Sequence, residues 1–535
     1  MSSGETLGGV SQTRRFARNA LMLIAVNLFM RTVGVSFSVY LSSKAGAEVM
    51  GLHSLLMGVY GLFITLGCGG VHLGTTRLIA EALGQTDDTS QQSVHIRACV
   101  RRAMGYALIC GCGAAVLLGV SAPWIGADWL GDERVVPSLY MLALSLPPLA
   151  ASSCLSGYFT GVRRVGWSAA ASVAAQFLRL GAGIRLLDLW GGRDAQTSCL
   201  AIVTGAVLSE WIGLLLTALV YIVDLRIHSA SGGCFLPDEP YTGSALTKRL
   251  TAITVPVTLA ACLRSGLVTI QHALIPRGLK SGGASWGAAL ASYGVLHGVV
   301  LPVVLFPSAF ISSYAGLLVP EVAEARAAGD GERVRRIASR VVTAALIFSF
   351  GAAGIMGCLS EELGAIVCNS PEAGGYIRIL APLIPIMYVD SSVDGILKGM
   401  GEQVYSMVVN IIDALTSVIL VWVLIPRMGL DGYLISIYVT ETLNTTLSLC
   451  RMLTVTGMKP LLWRMVFGPL SASVGASWIL RIGSDLLAFP VSKASQLAAV
   501  TAVGIAVYGV LLICFRVVRM RNFRYGVRMS ASPSG

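Results

Sequence analysis

Residues 17–41 read ARNALMLIAVNLFMRTVGVSFSVYL, an apolar segment long enough to cross a bilayer. A hydrocarbon core of about 30 Å requires roughly 20 apolar residues in a helix. Arg31 stands near the middle of this segment. A guanidinium at that depth costs about 2.5–3.5 kcal/mol on insertion scales, so we expect Arg31 to face protein or water rather than lipid.

The composition of the whole chain extends this interpretation. Of its 535 residues, 55% are hydrophobic and 13% are charged, and the mean hydropathy is +0.73. Soluble domains carry about 25% charged residues, so the chain is predicted to be a polytopic membrane protein. The formal charge of +11 comes from small basic groups between apolar runs, which is typical of cytoplasmic loops and does not predict nucleic-acid binding.

The sequence contains no pattern that supports an enzyme, a metal site or a cofactor. Its twelve cysteines include no Cys-x-x-Cys motif, and there is no GxGxxG or Walker-type phosphate loop. The histidines of the apolar runs are not accompanied by a nucleophile motif. We therefore predict no catalytic residue, no bound metal and no cofactor.

Apolar runs of span length predict about 14 transmembrane helices in an all-α fold. If the N-terminus is cytoplasmic, most lysines and arginines lie in or beside cytoplasmic segments, as the positive-inside rule requires. Both termini are therefore predicted to be cytoplasmic. The predicted spans are 19–41, 49–72, 98–121, 135–158, 167–188, 199–223, 250–275, 288–318, 338–358, 376–397, 405–425, 431–453, 462–482 and 494–516.

An internal repeat predicts two six-helix lobes. Met50-Gly-Leu matches Tyr293-Gly-Val, and at the same offset Glu81 matches Glu324 within similar Ala-Glu-Ala runs. An even number of spans per half makes the repeat parallel, with a pseudo-two-fold axis along the membrane normal and substrate between the halves. The predicted domains are an N-terminal lobe at 1–223, a cytoplasmic connector at 224–249, a C-terminal lobe at 250–455, and two additional helices with a basic tail at 456–535.

Polar residues inside the first and seventh spans are the candidate substrate-binding groups. Asn27 and Arg31 share one face of the first span, and Arg264 and Gln271 share one face of the seventh. Two arginines that meet between the halves would suit an anionic group such as a diphosphate, because the guanidinium fork matches phosphate oxygens. The alternative is a structural role, in which carboxylates or backbone carbonyls neutralise each arginine.

Acidic residues inside later spans are the candidates for ion coupling. Glu210, Asp390 and Asp413 could bind a cation or proton, and Asp390 or Asp413 could instead pair with Arg264. Asp394 is four residues before Lys398, which predicts a simple ion pair. Prolines at 256, 302, 307, 382 and 385 are predicted to interrupt the seventh, eighth and tenth spans.

The run ASYGVLHGVVLPVVLFPSAFISSYAGLLVPEVAEARAAGD at 291–330 resembles the stage V sporulation protein B branch of the polysaccharide-exporter families. The segments GAEVMGLHSLLMGVYGL and ILKGMGEQVYSMVVNIIDALTSVILVWVLIPRMGLDGY are similar to the corresponding N-terminal and C-terminal segments. Arg31 with Gly34 resembles the Arg-x-x-Gly of the first helix in lipid II flippases, where basic residues line the cavity.

The resemblance implies a fold, a function and a location. The fold is that of the multidrug/oligosaccharidyl-lipid/polysaccharide flippase superfamily, two six-helix lobes around a V-shaped cavity, in the bacterial cytoplasmic membrane. The function is export of a polyprenyl phosphate- or diphosphate-linked saccharide by alternating access, with membrane lipids and a coupling cation or proton as further partners. Two alternatives remain open, namely a cation-coupled multidrug exporter and a non-transporting scaffold or scramblase in envelope or spore-coat assembly.

Overall fold

A computed structural model describes residues 26, 28–85, 89–190, 194–228, 243–368, 370–483, 493–515 and 517, and their regular structure is entirely helical. The helices up to the seventh predicted span are α1 (28–45), α2 (Ala47–Cys68), α3 (Val71–Gln85), α4 (Thr89–Trp124), α5 (Val136–Ala143), α6 (Leu146–Gly161), α7 (Val165–Trp190), α8 (Ala195–His228) and α9 (Gly243–Ser281).

The second part of the chain continues the same architecture with shorter pieces. Its helices are α10 (Trp286–Tyr293), α11 (Leu301–Leu305), α12 (Ser308–Ala327), α13 (Gly331–Cys358), α14 (Ser360–Glu362), α15 (Pro371–Leu380), α16 (Ile384–Gly399), α17 (Gln403–Met428), α18 (Leu430–Thr456), α19 (Gly468–Gly483) and α20 (Lys493–Cys514). A π-helical segment, Gly294–Val300, joins α10 to α11.

The predicted membrane spans coincide with helices in the described part of the chain. Eleven helices there are long and apolar enough to cross a membrane, or twelve if the bent pair α5–α6 is one span. Helices α1 and α18 are not among them. The predicted start of the first span lies outside the described residues, and α18 carries the charged residues Asp431, Glu441 and Arg451. The all-helical polytopic fold is confirmed, and the count of fourteen spans stays a prediction.

The positions at which the membrane helices are interrupted agree only in part with the interruptions predicted from the prolines. The eighth predicted span breaks at Phe306 and Pro307, as expected, and continues through α12 to Ala327. The prediction for Pro256 was wrong, because α9 runs through it. A proline need not end a membrane helix when neighbouring groups satisfy the freed backbone.

The described residues divide into two compact units. The first unit lies within Met1–Met30, Lys44–Gly294 and Ala414–Tyr433, and the second within Arg31–Ser43, Val295–Asp413 and Leu434–Gly535. Most of α1 therefore belongs to the second unit, and all of α9 belongs to the first. The lobe boundaries predicted from the sequence repeat stay a prediction.

Each unit has its own apolar core. In the first unit, Leu78, Ile79 and Phe159 are fully buried, with Leu250 at the start of α9 packed beside them. In the second unit, the core draws on α12, α13, α16 and the end of α18. Helices that are apolar on several sides are stabilised by such close packing, since lipid offers no hydrophobic driving force between them.

Two glycines mark a close helix crossing inside the first unit. A Cβ on Gly51 of α2 would lie 2.7 Å from the carbonyl carbon of Leu290, and one on Gly294 would lie 2.8 Å from the Cα of Gly51 and also clash with Ala47. Gly51 and Gly294 occupy the same position in the Met50-Gly-Leu and Tyr293-Gly-Val repeat, and Ala47 and Leu290 share the same offset. A two-fold relation between the repeats predicts such a reciprocal pair of contacts.

Candidate functional site

Arg31 lies at the break of the eighth predicted span, in the second unit. Its Nη2 donates a hydrogen bond of 2.9 Å to the carbonyl oxygen of Leu305, the last residue of α11. The break leaves this carbonyl without its helical hydrogen bond, because the backbone N–H of Ala309 donates to the carbonyl oxygen of Phe306 instead. The hydroxyl of Ser308 donates to the same oxygen at 2.6 Å. The fold thus supplies an acceptor for an arginine that the sequence places inside the membrane.

The hydrogen bond to Leu305 fixes the position of the Arg31 guanidinium but does not neutralise its positive charge. No carboxylate in the described part of the chain forms an ion pair with Arg31, which is half-buried. A carbonyl carries only a partial charge, and a guanidinium has five N–H donors, of which Leu305 uses one. Tyr388, fully buried nearby, donates its hydroxyl to the carbonyl of Val304 at 2.6 Å and so fixes the same break.

An apolar cavity of about 760 Å³ lies one turn further along α1. Its walls come from α1, α11, α13 and α20, all within the second unit. The hydroxyl of Tyr508 at its edge already donates to Ile347 at 2.6 Å, and that of Thr501 donates to Leu497 at 2.8 Å. The cavity therefore accommodates hydrocarbon and offers little to a sugar. Residues that line it include Val35, Phe306, Pro307, Phe348, Ile505 and Tyr508.

Arg264 and Gln271 lie on α9, in the first unit. Three side chains anchor one face of α9: Thr258 donates to Gly69 at 2.6 Å, Thr269 donates to Gly58 at 2.9 Å, and His272 shares a hydrogen bond of 2.6 Å with Tyr293. At 100° per residue, Arg264 and Gln271 lie together, about 110–130° around the helix from the anchored face.

The anchoring leaves Arg264 exposed, and no hydrogen bond or ion pair of its side chain is seen within the ranges that the structure describes. Asn27, the remaining predicted binding residue, lies outside the described residues. Arg31 and Arg264 belong to different compact units. Their meeting in one cavity stays a prediction.

The acidic candidates have different surroundings. Asp390 and Asp413 are half-buried, and each has an interaction partner in the fold. Glu210 on α8 is half-buried and interacts electrostatically with Arg179 of α7. Asp394 pairs with Lys398 at 2.6 Å, as their spacing predicts. Over the described ranges, no group of three or more His, Cys, Asp or Glu side chains could hold a metal ion.

One polar network was not predicted from the sequence. The carboxylate of Asp132 accepts hydrogen bonds from Arg134 at 2.7 Å and from the indole of Trp286 at 2.7 Å, and Arg134 also bonds Glu48 at 2.9 Å. Burial works against ionisation of Asp132, but these donors outweigh it and hold its pKa below the usual value. The network joins the first turn of α2 to the first turn of α10. In the sequence, only the short spacing of Asp132 and Arg134 indicates any part of this network.

Comparisons with known proteins agree with this architecture. Residues 16–265 match the polysaccharide biosynthesis protein family, and residues 287–423 match the MatE family. Stage V sporulation protein B of Bacillus subtilis is 22% identical over 520 residues, which cover 95% of this chain and 97% of that protein. Lipid II flippase MurJ of B. subtilis is 22% identical over 450 residues, 79% of each chain.

Solved structures show the same fold. Lipid II flippase MurJ in an inward closed conformation superposes with a TM-score of 0.67 at 12% identity, over 92% of this chain and 98% of that one. An inward-facing multidrug resistance MATE family transporter of the MOP superfamily gives a TM-score of 0.63 at 13% identity, over 82% of this chain and 100% of that one. The chain is therefore similar to stage V sporulation protein B and to lipid II flippase MurJ, and it has the fold of the solved MurJ and MATE family structures.

Proposed function

We propose that this protein is a flippase that moves a polyprenyl phosphate- or diphosphate-linked saccharide across the bacterial cytoplasmic membrane by alternating access. The proteins that it resembles include a lipid II flippase and a multidrug resistance transporter, and transport of this kind requires no covalent step of any residue. The observation that carries the proposal is a charged arginine, fixed at the break of a membrane helix, with an apolar cavity of about 760 Å³ beside it.

The two features suit the two chemical parts of such a substrate. Among the described residues only Leu305 accepts from Arg31, and the other donors of a guanidinium can bind two oxygens of a diphosphate at once. The apolar cavity can take isoprenoid hydrocarbon, yet it adds little affinity because the lipid outside is equally apolar. Recognition therefore rests on the arginine, and the cavity mainly permits the tail to stay close to it.

Further residues complete the proposal. Arg264, Gln271 and Asn27 would contact the phosphate or saccharide, and Glu210, Asp390 and Asp413 would serve the coupling cation or proton. Both termini are proposed to be cytoplasmic. Rocking of one half against the other would then expose the bound head group to each side in turn.

The test is translocation of a labelled polyprenyl diphosphate-linked disaccharide in proteoliposomes that contain the purified protein. We expect Arg31→Ala and Arg264→Ala each to reduce translocation, their combination to abolish it, and lysine at either position to retain part of it. Arg185→Ala is the matched control, since Arg185 is an exposed arginine on the membrane helix α7. Full translocation by the double alanine variant would contradict the assignment.

A cation-coupled multidrug exporter is the second candidate. The MatE match over residues 287–423 and the half-buried Glu210 favour it. Uptake of a fluorescent organic cation into the same proteoliposomes against an imposed proton or sodium gradient would support this function. Absence of such uptake, together with movement of the lipid-linked saccharide, would eliminate it.

A further inference from the structure

A second cavity, of about 670 Å³, lies in the second unit between α13, α14, α15 and α19. Among the described residues that line it, only Leu359 also lines the apolar cavity of the functional site. Three candidate membrane spans contribute an end here: one ends at Cys358, one begins at Pro371 and one ends at Ile482. The second cavity therefore lies where membrane helices leave the hydrocarbon, at the level of lipid head groups.

The register of α13 against α19 fixes the geometry of the second cavity. Two serine hydroxyls of α19 donate to carbonyls of α13 that lie 123 residues earlier, Ser473 to Phe350 at 2.6 Å and Ser477 to Gly354 at 3.0 Å. The constant offset means that the two helices run in parallel, and it places Arg481 beside Cys358, the last residue of α13. These bonds occupy both hydroxyls, so recognition of a ligand falls to the charged side chains of the cavity.

Four charged side chains stand at this end of the second cavity, and all are exposed. Glu361 and Glu362 belong to α14, Arg378 to α15 and Arg481 to the last turn of α19. Arg378 lies 3.9 Å from Glu361, and a pair so long and exposed contributes little to stability. Two positive and two negative charges therefore surround the cavity mouth, with no net charge.

An apolar stripe leads away from the charged end along α19. Leu470, Val474 and Trp478 line the cavity at spacings of four residues, and Arg481 follows three residues later. At 100° and 1.5 Å per residue, the four lie within an arc of about 80° over about 16 Å. That length matches the hydrocarbon depth of one leaflet, half of a core of about 30 Å. The three apolar side chains are exposed, so one acyl chain can lie along them while its head group meets the charges.

We propose that the second cavity binds a membrane phospholipid whose head group carries a phosphate and a primary ammonium, as in phosphatidylethanolamine. Arg378 and Arg481 hold the phosphate oxygens, because guanidinium groups match them in geometry and charge. Glu361 and Glu362 accept hydrogen bonds from the ammonium N–H groups. A choline head group has no N–H to donate, and a glycerol head group leaves both carboxylates without a cation. Binding of this lipid requires no transport activity, so it does not depend on the proposed function.

The test compares three phospholipids with identical acyl chains. Purified protein in detergent is incubated with equal amounts of phosphatidylethanolamine, phosphatidylcholine and phosphatidylglycerol, and the retained lipids are counted by native mass spectrometry. We expect phosphatidylethanolamine to be retained over phosphatidylcholine by up to about fivefold, the scale of an exposed ion pair. The double variant Glu361→Gln/Glu362→Gln should instead prefer phosphatidylglycerol, because two arginines then remain without carboxylates. Arg185→Gln, which changes an exposed arginine of α7, should keep the original preference.

The preference is a ratio measured within each variant, so a loss of stability does not imitate its change. The double variant Arg378→Gln/Arg481→Gln should lower retention of phosphatidylethanolamine and phosphatidylglycerol alike. If that variant does not fold, Glu361→Gln/Glu362→Gln decides, because both carboxylates are exposed. Equal retention of the three lipids by the unaltered protein, or an unchanged preference after loss of both carboxylates, would overturn the proposal. A preference of the unaltered protein for phosphatidylglycerol would overturn it too, since the arginines would then act alone on an anion.

Discussion

The crossing of Gly51 and Gly294 gives a prediction whose size follows from the structure. A Cβ on Gly51 would lie 2.7 Å from the carbonyl carbon of Leu290, where ordinary contact begins at 3.4 Å. The obstacle is backbone, so α2 and α10 must separate by at least about 0.7 Å, the difference between those distances. Overpacking of this kind costs about 1–3 kcal/mol. We expect Gly51→Ala and Gly294→Ala each to lower the thermal midpoint of the purified protein.

Reciprocity of the crossing makes the pair non-additive. Once one alanine has pushed the helices apart, the second meets less resistance, so the double variant should cost less than the two single variants together. Gly61→Ala is the matched control, since Gly61 lies on the same helix with nothing within 4 Å of an added Cβ. That change should be neutral or slightly stabilising, as alanine favours helix over glycine by about 1 kcal/mol. Equal stability of Gly51→Ala and Gly61→Ala would refute the reasoning.

Three carboxylates give further predictions, each measured as a thermal midpoint in detergent. Because the pKa of Asp132 is lowered in the folded protein, its carboxylate stabilises the fold at pH values above its ordinary pKa of about 3.9, and this stabilisation is lost as the pH falls through the lower folded pKa. Asp132→Asn should therefore make the thermal midpoint depend less on pH in the acid range. An unchanged pH dependence would contradict this prediction. Asp224→Asn should destabilise by about 1–3 kcal/mol, because the buried Asp224 accepts from Tyr158 at 2.7 Å and from Arg164 at 2.9 Å. Asp394→Asn, in a partly exposed pair, should change stability by less than about 1 kcal/mol, and a larger loss than for Asp224→Asn would contradict this ranking.

The sequence predicted the helices well for a physical reason. Lipid cannot hydrogen-bond the backbone, so each apolar run of span length must be helical. All fourteen predicted spans overlap helices in the described residues. Periodicity does not reveal where a helix bends, so the continuation of the eighth span to Ala327 and the uninterrupted course of α9 through Pro256 appeared only in the structure.

The candidate site was predicted only in part. Helical spacing placed Arg264 and Gln271 on one face, and the depth of Arg31 marked it as exceptional. The partner of Arg31 was not predictable, because the carbonyl of Leu305 is 274 residues away and is free only where α11 ends. The electrostatic influence of Arg179 on Glu210 depends on how α7 packs against α8, which the pattern of a single helix does not contain.

The weak internal repeat contains two glycines that the structure places at one helix crossing. Only a few residues match between the two halves, yet Gly51 and Gly294 are among them. A Cβ at either glycine would clash with the backbone of the other helix, so the space between α2 and α10 explains both identities.

The central claim is that Arg31 binds the phosphate groups of a lipid-linked substrate, and binding of polyprenyl diphosphate to the purified protein tests it most directly. Loss of charge-assisted hydrogen bonds worth about 1.5–3 kcal/mol should weaken binding roughly ten- to hundredfold in Arg31→Gln. Arg185→Gln should bind normally, and uncharged polyprenol should bind weakly to all variants. Equal affinity of Arg31→Gln and the unaltered protein for polyprenyl diphosphate would contradict the claim.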